Sequence, residues 1–132
     1  WTPVDTLAHV TAWKANALEI ARRQAHPDAP DPGPTHGPAG VLHIDVDAFN
    51  AHVLEGHRDW PVARVVAWSQ DVHRQLVAAL ADLPTERLLN GRGRHGARPW
   101  YWMPAVQHSG GHRRALERLL AETEVPSTQP GT

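Results

Sequence analysis

Cysteine is absent from the 132 residues, which rules out disulfides and every thiolate-based metal site. Any sulfur chemistry must therefore arrive with a bound small molecule. Lysine occurs once, at Lys14, and phenylalanine, tyrosine and methionine once each. Arginine supplies the rest of the positive charge, a bias that points to a GC-rich coding sequence. The formal net charge is −1, without the basic field that nucleic-acid partners usually require. No apolar run approaches the ~20 residues that span a bilayer, and no signal-peptide pattern opens the chain. The expectation is a cytoplasmic protein with neither membrane nor nucleic acid as partner.

What is present is an ordinary globular composition, 41% hydrophobic and 20% charged. The length suits one domain with its own core. Histidine and tryptophan are the outliers, at ten and six residues.

Thr2-Pro3-Val4-Asp5 reads as a helix start, with Thr2 as cap, Pro3 at the first helical position and Asp5 at the positive end of the dipole. The helix is predicted to run to about Ala25, where His26-Pro27 stops it. Val4, Leu7, Ala8, Thr11, Ala15 and Leu18 form its apolar stripe, and His9, Trp13, Asn16 and Ile20 an adjoining one. Five prolines and three glycines make residues 27–40 a loop. A short helix is expected from about Asp45 to Leu54, capped by Asp45 or Asp47, with Asn50 also assigned a capping role. A third runs from near Asp59-Trp60-Pro61 to Asp82, with Val62, Val65, Val66, Leu76, Val77 and Leu80 as core candidates, and stops at Leu83-Pro84. Residues 90–98 read as a basic flexible loop. The last helix opens around Pro104 and runs to about Thr123. The domain is thus residues 1–123, with a disordered tail over 124–132. No strand and no repeat is evident.

His108 and His112 are four apart on a predicted helix, so both project from one face. Two imidazoles so placed can share a metal, and a catalytic zinc typically takes three protein ligands with one open position. In a chain with ten histidines, however, chance alone supplies about 0.7 pairs at this spacing. Spacing carries no weight here.

The surrounding residues carry more. Trp1-Thr2-Pro3-Val4-Asp5-Thr6-Leu7-Ala8-His9-Val10-Thr11-Ala12-Trp13 resembles the second helix of the DinB/YfiT-like superfamily, which delivers that superfamily's first metal histidine. His108-Ser109-Gly110-Gly111-His112-Arg113-Arg114-Ala115-Leu116 is similar to its last helix, with the H-x-x-x-H pair. Val46-Asp47-Ala48-Phe49-Asn50 and the stretch from Pro61 to Leu83 resemble the ClbS/DfsB-like and mycothiol-dependent branches. The resemblance spans about residues 1–123. It implies an all-α, up-down-down-up four-helix bundle whose first helix lies upstream of Trp1, where the chain opens without a methionine. It also implies a divalent metal on His9, His108 and His112, with zinc first and nickel or iron as alternatives. The activity implied is a thiol transferase or isomerase that uses mycothiol or bacillithiol on a small-molecule electrophile. Two other functions stay open: a ClbS-like self-protection hydrolase, and a non-enzymatic helical stress-associated module. A homodimer also stays open.

One departure from the pattern is Gly110-Gly111 between the two ligands, which costs a helix about 2 kcal/mol relative to alanine. Either a neighbouring helix approaches closely there or the turn is distorted.

Each sharp reading has a plainer one beside it. His9 could instead be a half-buried histidine bonded to Asp5. His43-Ile44-Asp45-Val46-Asp47 alternates potential ligands, but an acidic helix start explains it better. His73 reads as solvated. Arg92, Arg94 and Arg98 could hold an anionic substrate or simply sit on a solvated loop. Trp100-Tyr101-Trp102 could line a pocket or pack a bundle end. Trp13, one turn from His9, is the better pocket candidate, with Trp102 and Arg98 after it as substrate contacts. No Ser-His-Asp order stands out, and Gly-Arg-Gly-Arg-His-Gly lacks the Lys-Ser/Thr of a phosphate loop.

Overall fold

The computed structural model describes residues 1–28, 45–89 and 108–123. Helix α1 spans Pro3–Gln24. Its start is the one the residues ask for: Thr2 Oγ1 accepts from Asp5 N (3.1 Å), and Asp5 Oδ2 accepts from Thr2 N (2.8 Å). That reciprocal cap satisfies two backbone donors that a helix otherwise leaves open. The hydrogen bond from the Thr2 N–H also holds the Asp5 carboxyl below its ordinary value.

Helix α2 (Val46–His57) is capped by Asp45, whose Oδ1 accepts from Asp47 N (3.0 Å) and Ala48 N (3.1 Å). It outruns the predicted end at Leu54 by one turn. His57 explains the extension: its Nδ1 donates to Val53 O (2.6 Å), and its ring stacks on Trp68 with centres 4.6 Å apart. Trp60 closes the cluster edge-on, 4.4 Å from His57, with the Arg64 guanidinium over its outer face at 3.7 Å. This clasp joins α2 to α3 (Val62–Ala81). A short helix, α4 (Thr85–Leu89), follows Pro84 where only a stop was expected, and α5 spans His108–Thr123.

The described residues are therefore all-α, five helices and no strand. No helix among them is long and apolar enough to cross a membrane.

Contacts along α1 set the sense of its neighbours. Trp13 meets Phe49 and Asn50 near the start of α2, whereas Asp5 feels the charge of Arg58 at its end, so α2 runs antiparallel to α1. Arg22 Nη2 donates to Gln75 Oε1 (2.5 Å) late in α3. With Arg58 near Asp5 and α3 following at once, α3 runs parallel to α1. The core sits between the C-terminal halves of these two helices: Ala17, Leu18, Ile20, Ala21, Leu76 and Leu83, flanked by Ala79, Leu80 and Leu88. The α4 segment seals this end, with the Arg87 guanidinium donating to the carbonyl of Pro27.

Helix α1 is buried around most of its circumference, because α2, α3 and α5 all pack on it. Both predicted stripes are involved, with Val4, Leu7 and Ala15 only half-buried. On α3 the expected core is too wide. Val65 is 0% exposed and Leu76 2%, but Val62 and Val77 are 59% and 54% exposed, and Val66 also faces out. Val72, not among the candidates, is buried. Val65, Val72 and Leu76 fall within about 20° of one line along the helix, and the three outward valines lie about 60–120° round from Val65. The deeply buried residues of α3 keep to that narrow line, while Ala79 and Leu80 beside it flank the core.

Candidate metal centre

His9 lies on the second turn of α1, 3% exposed, on the face turned toward α5. His112 lies four residues into α5 and is half-buried. Their ring centres are 5.1 Å apart, edge to face at 78°. Two imidazoles sharing one tetrahedral zinc, each at about 2 Å, have ring centres about 5 Å apart. The donor chemistry and the spacing of this pair thus fit a divalent ion. The same separation also suits an ordinary edge-to-face ring contact.

Tryptophans flank the pair. Trp1 approaches His9 edge-on at 4.7 Å and is itself 63% exposed, and Trp13 does so at 6.3 Å from the buried side. Burial pushes the His112 imidazole below its ordinary value, because desolvation disfavours the charged ring. The Asp5 carboxylate one turn before His9, the partner offered by the plainer reading, is drawn to Thr2 through both its N–H and its hydroxyl.

His108 opens α5 one turn before His112, and the helix is continuous through the intervening glycines. Its side chain lies outside the described residues, as do Arg98, Trp102 and the whole Arg92–Arg98 and Trp100–Trp102 stretches. Among the described residues no group of three or more His, Cys, Asp or Glu side chains comes together. Neither expectation for the glycines holds among the described residues: α5 is regular α-helix, and no described helix crowds them. A Cβ on Gly111 would meet nothing within 4 Å, and one on Gly110 only Arg114 of the same helix at 3.7 Å.

Trp13 is buried against α2, its Nε1 donating to Asn50 Oδ1 (3.4 Å) and its ring edge-on to Phe49 at 5.3 Å. It therefore forms the inner wall behind His9. Asn50 is no cap: it sits a turn inside α2 and receives the indole. Asp45 does the capping, in line with the acidic-start reading, and His43 lies outside the described residues. His73 is exposed, as expected.

Two buried polar residues on α1 have a bearing that the residue pattern did not reveal. Thr11 is fully buried but turns its hydroxyl back to Leu7 O (2.7 Å). Asn16 is 9% exposed, and its Nδ2 has no hydrogen-bond partner among the described residues. Compared with protein-family models, with curated proteins and with solved structures, the chain matches none.

Proposed function

We propose that this chain is a divalent-metal-dependent enzyme of the DinB/YfiT-like kind, a thiol transferase or isomerase acting on small electrophiles. The observation that carries the reading is the approach of the His9 and His112 imidazoles, drawn from opposite ends of the chain to 5.1 Å. The helix order supports it as well. The parallel run of α1 and α3 is the relation that an up-down-down-up order requires of its two middle members.

In this reading His9, His108 and His112 hold the ion. The register of α5 puts positions 108 and 112 on one side of that helix. A divalent metal bound there lowers the pKa of a coordinated thiol or water and so presents a nucleophile at neutral pH. The protein's own contribution is positional. Trp13, anchored through Asn50, backs His9 and keeps water from that side, while Trp1 forms the outer rim. With no cysteine in the chain, the thiol comes from a low-molecular-weight cofactor such as mycothiol. Zinc suits three imidazoles best, with nickel or iron as alternatives.

A second reading is favoured by the edge contacts that Trp1, Trp13 and His112 make with His9. They are what a packed histidine in a non-enzymatic helical module would also have. Metal analysis of the purified protein beside His112→Ala and His108→Ala separates the two. A stoichiometric ion lost in both variants supports the metal site. No ion, or one indifferent to both substitutions, removes it. Turnover with and without added thiol then separates transfer from hydrolysis by a ClbS-like route.

A further inference from the structure

Three of the five large apolar side chains exposed among the described residues, Val62, Val66 and Val77, lie on α3. Scattered exposure needs no explanation, but an ordered stripe does. Ala63, Val66, Gln70, His73, Val77 and Leu80 recur at steps of three and four, the spacing of a coiled-coil seam. All are exposed except Leu80, which is half-buried. The seam lies about 110° round α3 from the buried line of Val65, Val72 and Leu76. Trp68, which stacks on His57 of α2, is about 170° from it.

This seam is complementary to itself. A second α3 laid antiparallel along the whole of the first sets Ala63 against the partner's Leu80, Val66 against the partner's Val77 and Gln70 against the partner's His73. Each pair then occurs twice about a two-fold axis. Small lies against large and valine against valine. At the centre, two groups that both donate and accept a hydrogen bond meet each other. Sliding one helix by a heptad loses the match, because Gln70 then faces the partner's Val66 or the partner's Leu80. A parallel pair would bring both helix N-termini together, against their dipoles. The seam also lacks Asp, Glu, Lys and Arg, as the centre of an interface should. Arg74, at its edge, is held by Asp71 of its own helix (2.9 Å) and falls near the partner's Ala67, so like charges do not oppose each other.

We infer that the outward face of α3 is a homodimer interface, covered by the antiparallel α3 of a second copy in the register that sets Val66 against the partner's Val77. One helix about 30 Å long on another is a small interface, so the dissociation constant is on the order of 10–100 µM and dilute protein is monomeric. The pairing does not rest on the metal reading, since His9 and His112 belong to α1 and α5.

Sedimentation equilibrium of the full chain from about 1 to about 500 µM is expected to show the mass rising from one chain towards two. Val66→Asp, a change at an exposed position, stays monomeric throughout. A wild type that never associates, or a Val66→Asp that associates equally well, overturns the inference. Because the chain has no cysteine, introduced thiols report the register. An equimolar mixture of Val66→Cys and Val77→Cys oxidises to a mixed disulfide dimer. Val66→Cys alone crosslinks about tenfold less, since its counterpart lies about 16 Å away along the axis. Self-crosslinking of Val66→Cys as fast as the mixture overturns the antiparallel pairing. Maleimide labelling of Val66→Cys separates a second copy from cover by the chain's own residues. Labelling should slow about threefold or more between about 1 and about 500 µM. A rate that is the same at both concentrations overturns the dimer, and a uniformly slow one assigns the cover to the chain itself.

Discussion

The imidazoles of His9 and His112 meet edge to face with ring centres 5.1 Å apart, one carried by the second turn of α1 and the other by the first turns of α5. Among the described residues α5 packs on α1. An ion between these rings would therefore tie α5 to α1 as well as serve chemistry.

That linkage is measurable. An ion present at a hundred times its dissociation constant stabilises the native state by about 2.7 kcal/mol. A strong chelator is expected to lower the melting temperature of the wild type and leave His112→Ala unmoved. Equal sensitivity of both proteins to the chelator would exclude His112 as a ligand.

The burial of His112 predicts a pH dependence in metal-free protein. Its folded pKa lies below the ordinary 6.5, so at intermediate pH the unfolded chain binds a proton that the native state refuses. The stability contributed by the neutral ring is complete above the unfolded value and is lost as pH falls toward the folded one. Urea midpoints recorded from about pH 8 to about pH 5 should fall through this window, and His112→Gln should flatten that part of the slope.

Gly111 sits in α5 with open space where a Cβ would go. Alanine there removes conformational entropy from the unfolded chain without a clash. Gly111→Ala is expected to raise stability by about 0.5–1 kcal/mol, read as a higher denaturant midpoint at unchanged slope. A destabilised Gly111→Ala would show that the backbone at this position needs glycine.

Val62 and Val65 look alike in the sequence and differ wholly in the fold. Val65→Ala empties part of the α1–α3 interface and should cost about 2 kcal/mol. Val62→Ala should stay within about 0.5 kcal/mol of wild type. Similar losses at both positions would mean that the outward face of α3 is covered in solution.

Local signals in the sequence were strong enough to place α1 almost to the residue, because Thr2, Pro3 and Asp5 at one end and His26-Pro27 at the other act within a single turn. Signals that depend on partners were not legible. The last turn of α2 is held by Trp60 and Trp68 from beyond the helix, past a glycine that would ordinarily end it. The valines of α3 spread over a wide arc, and nothing local says which line of them α1 will meet. Short α4 begins directly after Pro84, a residue that ends one helix and equally can precede the next, so the stop at Leu83-Pro84 says nothing of the turn beyond it. At the candidate site, the family resemblance singled out His9, His108 and His112, and the fold brings the rings of His9 and His112 side by side. The tie between Trp13 and Asn50 and the unpartnered amide of Asn16 depend on which helix faces which, and no spacing rule reports that.

Three alanines on α1, at positions 8, 17 and 21, are among its most enclosed residues. Their methyl groups act as spacers: each sets how near an adjoining helix axis can come. At Ala17 and Ala21, which lie in the core with Leu76 and Leu83, that spacing sets how closely α1 and α3 lie together. Bulkier replacements at these points would push the scaffold apart while leaving both histidines in place, so the fold's tolerance to change is set well away from the side chains that compose the site.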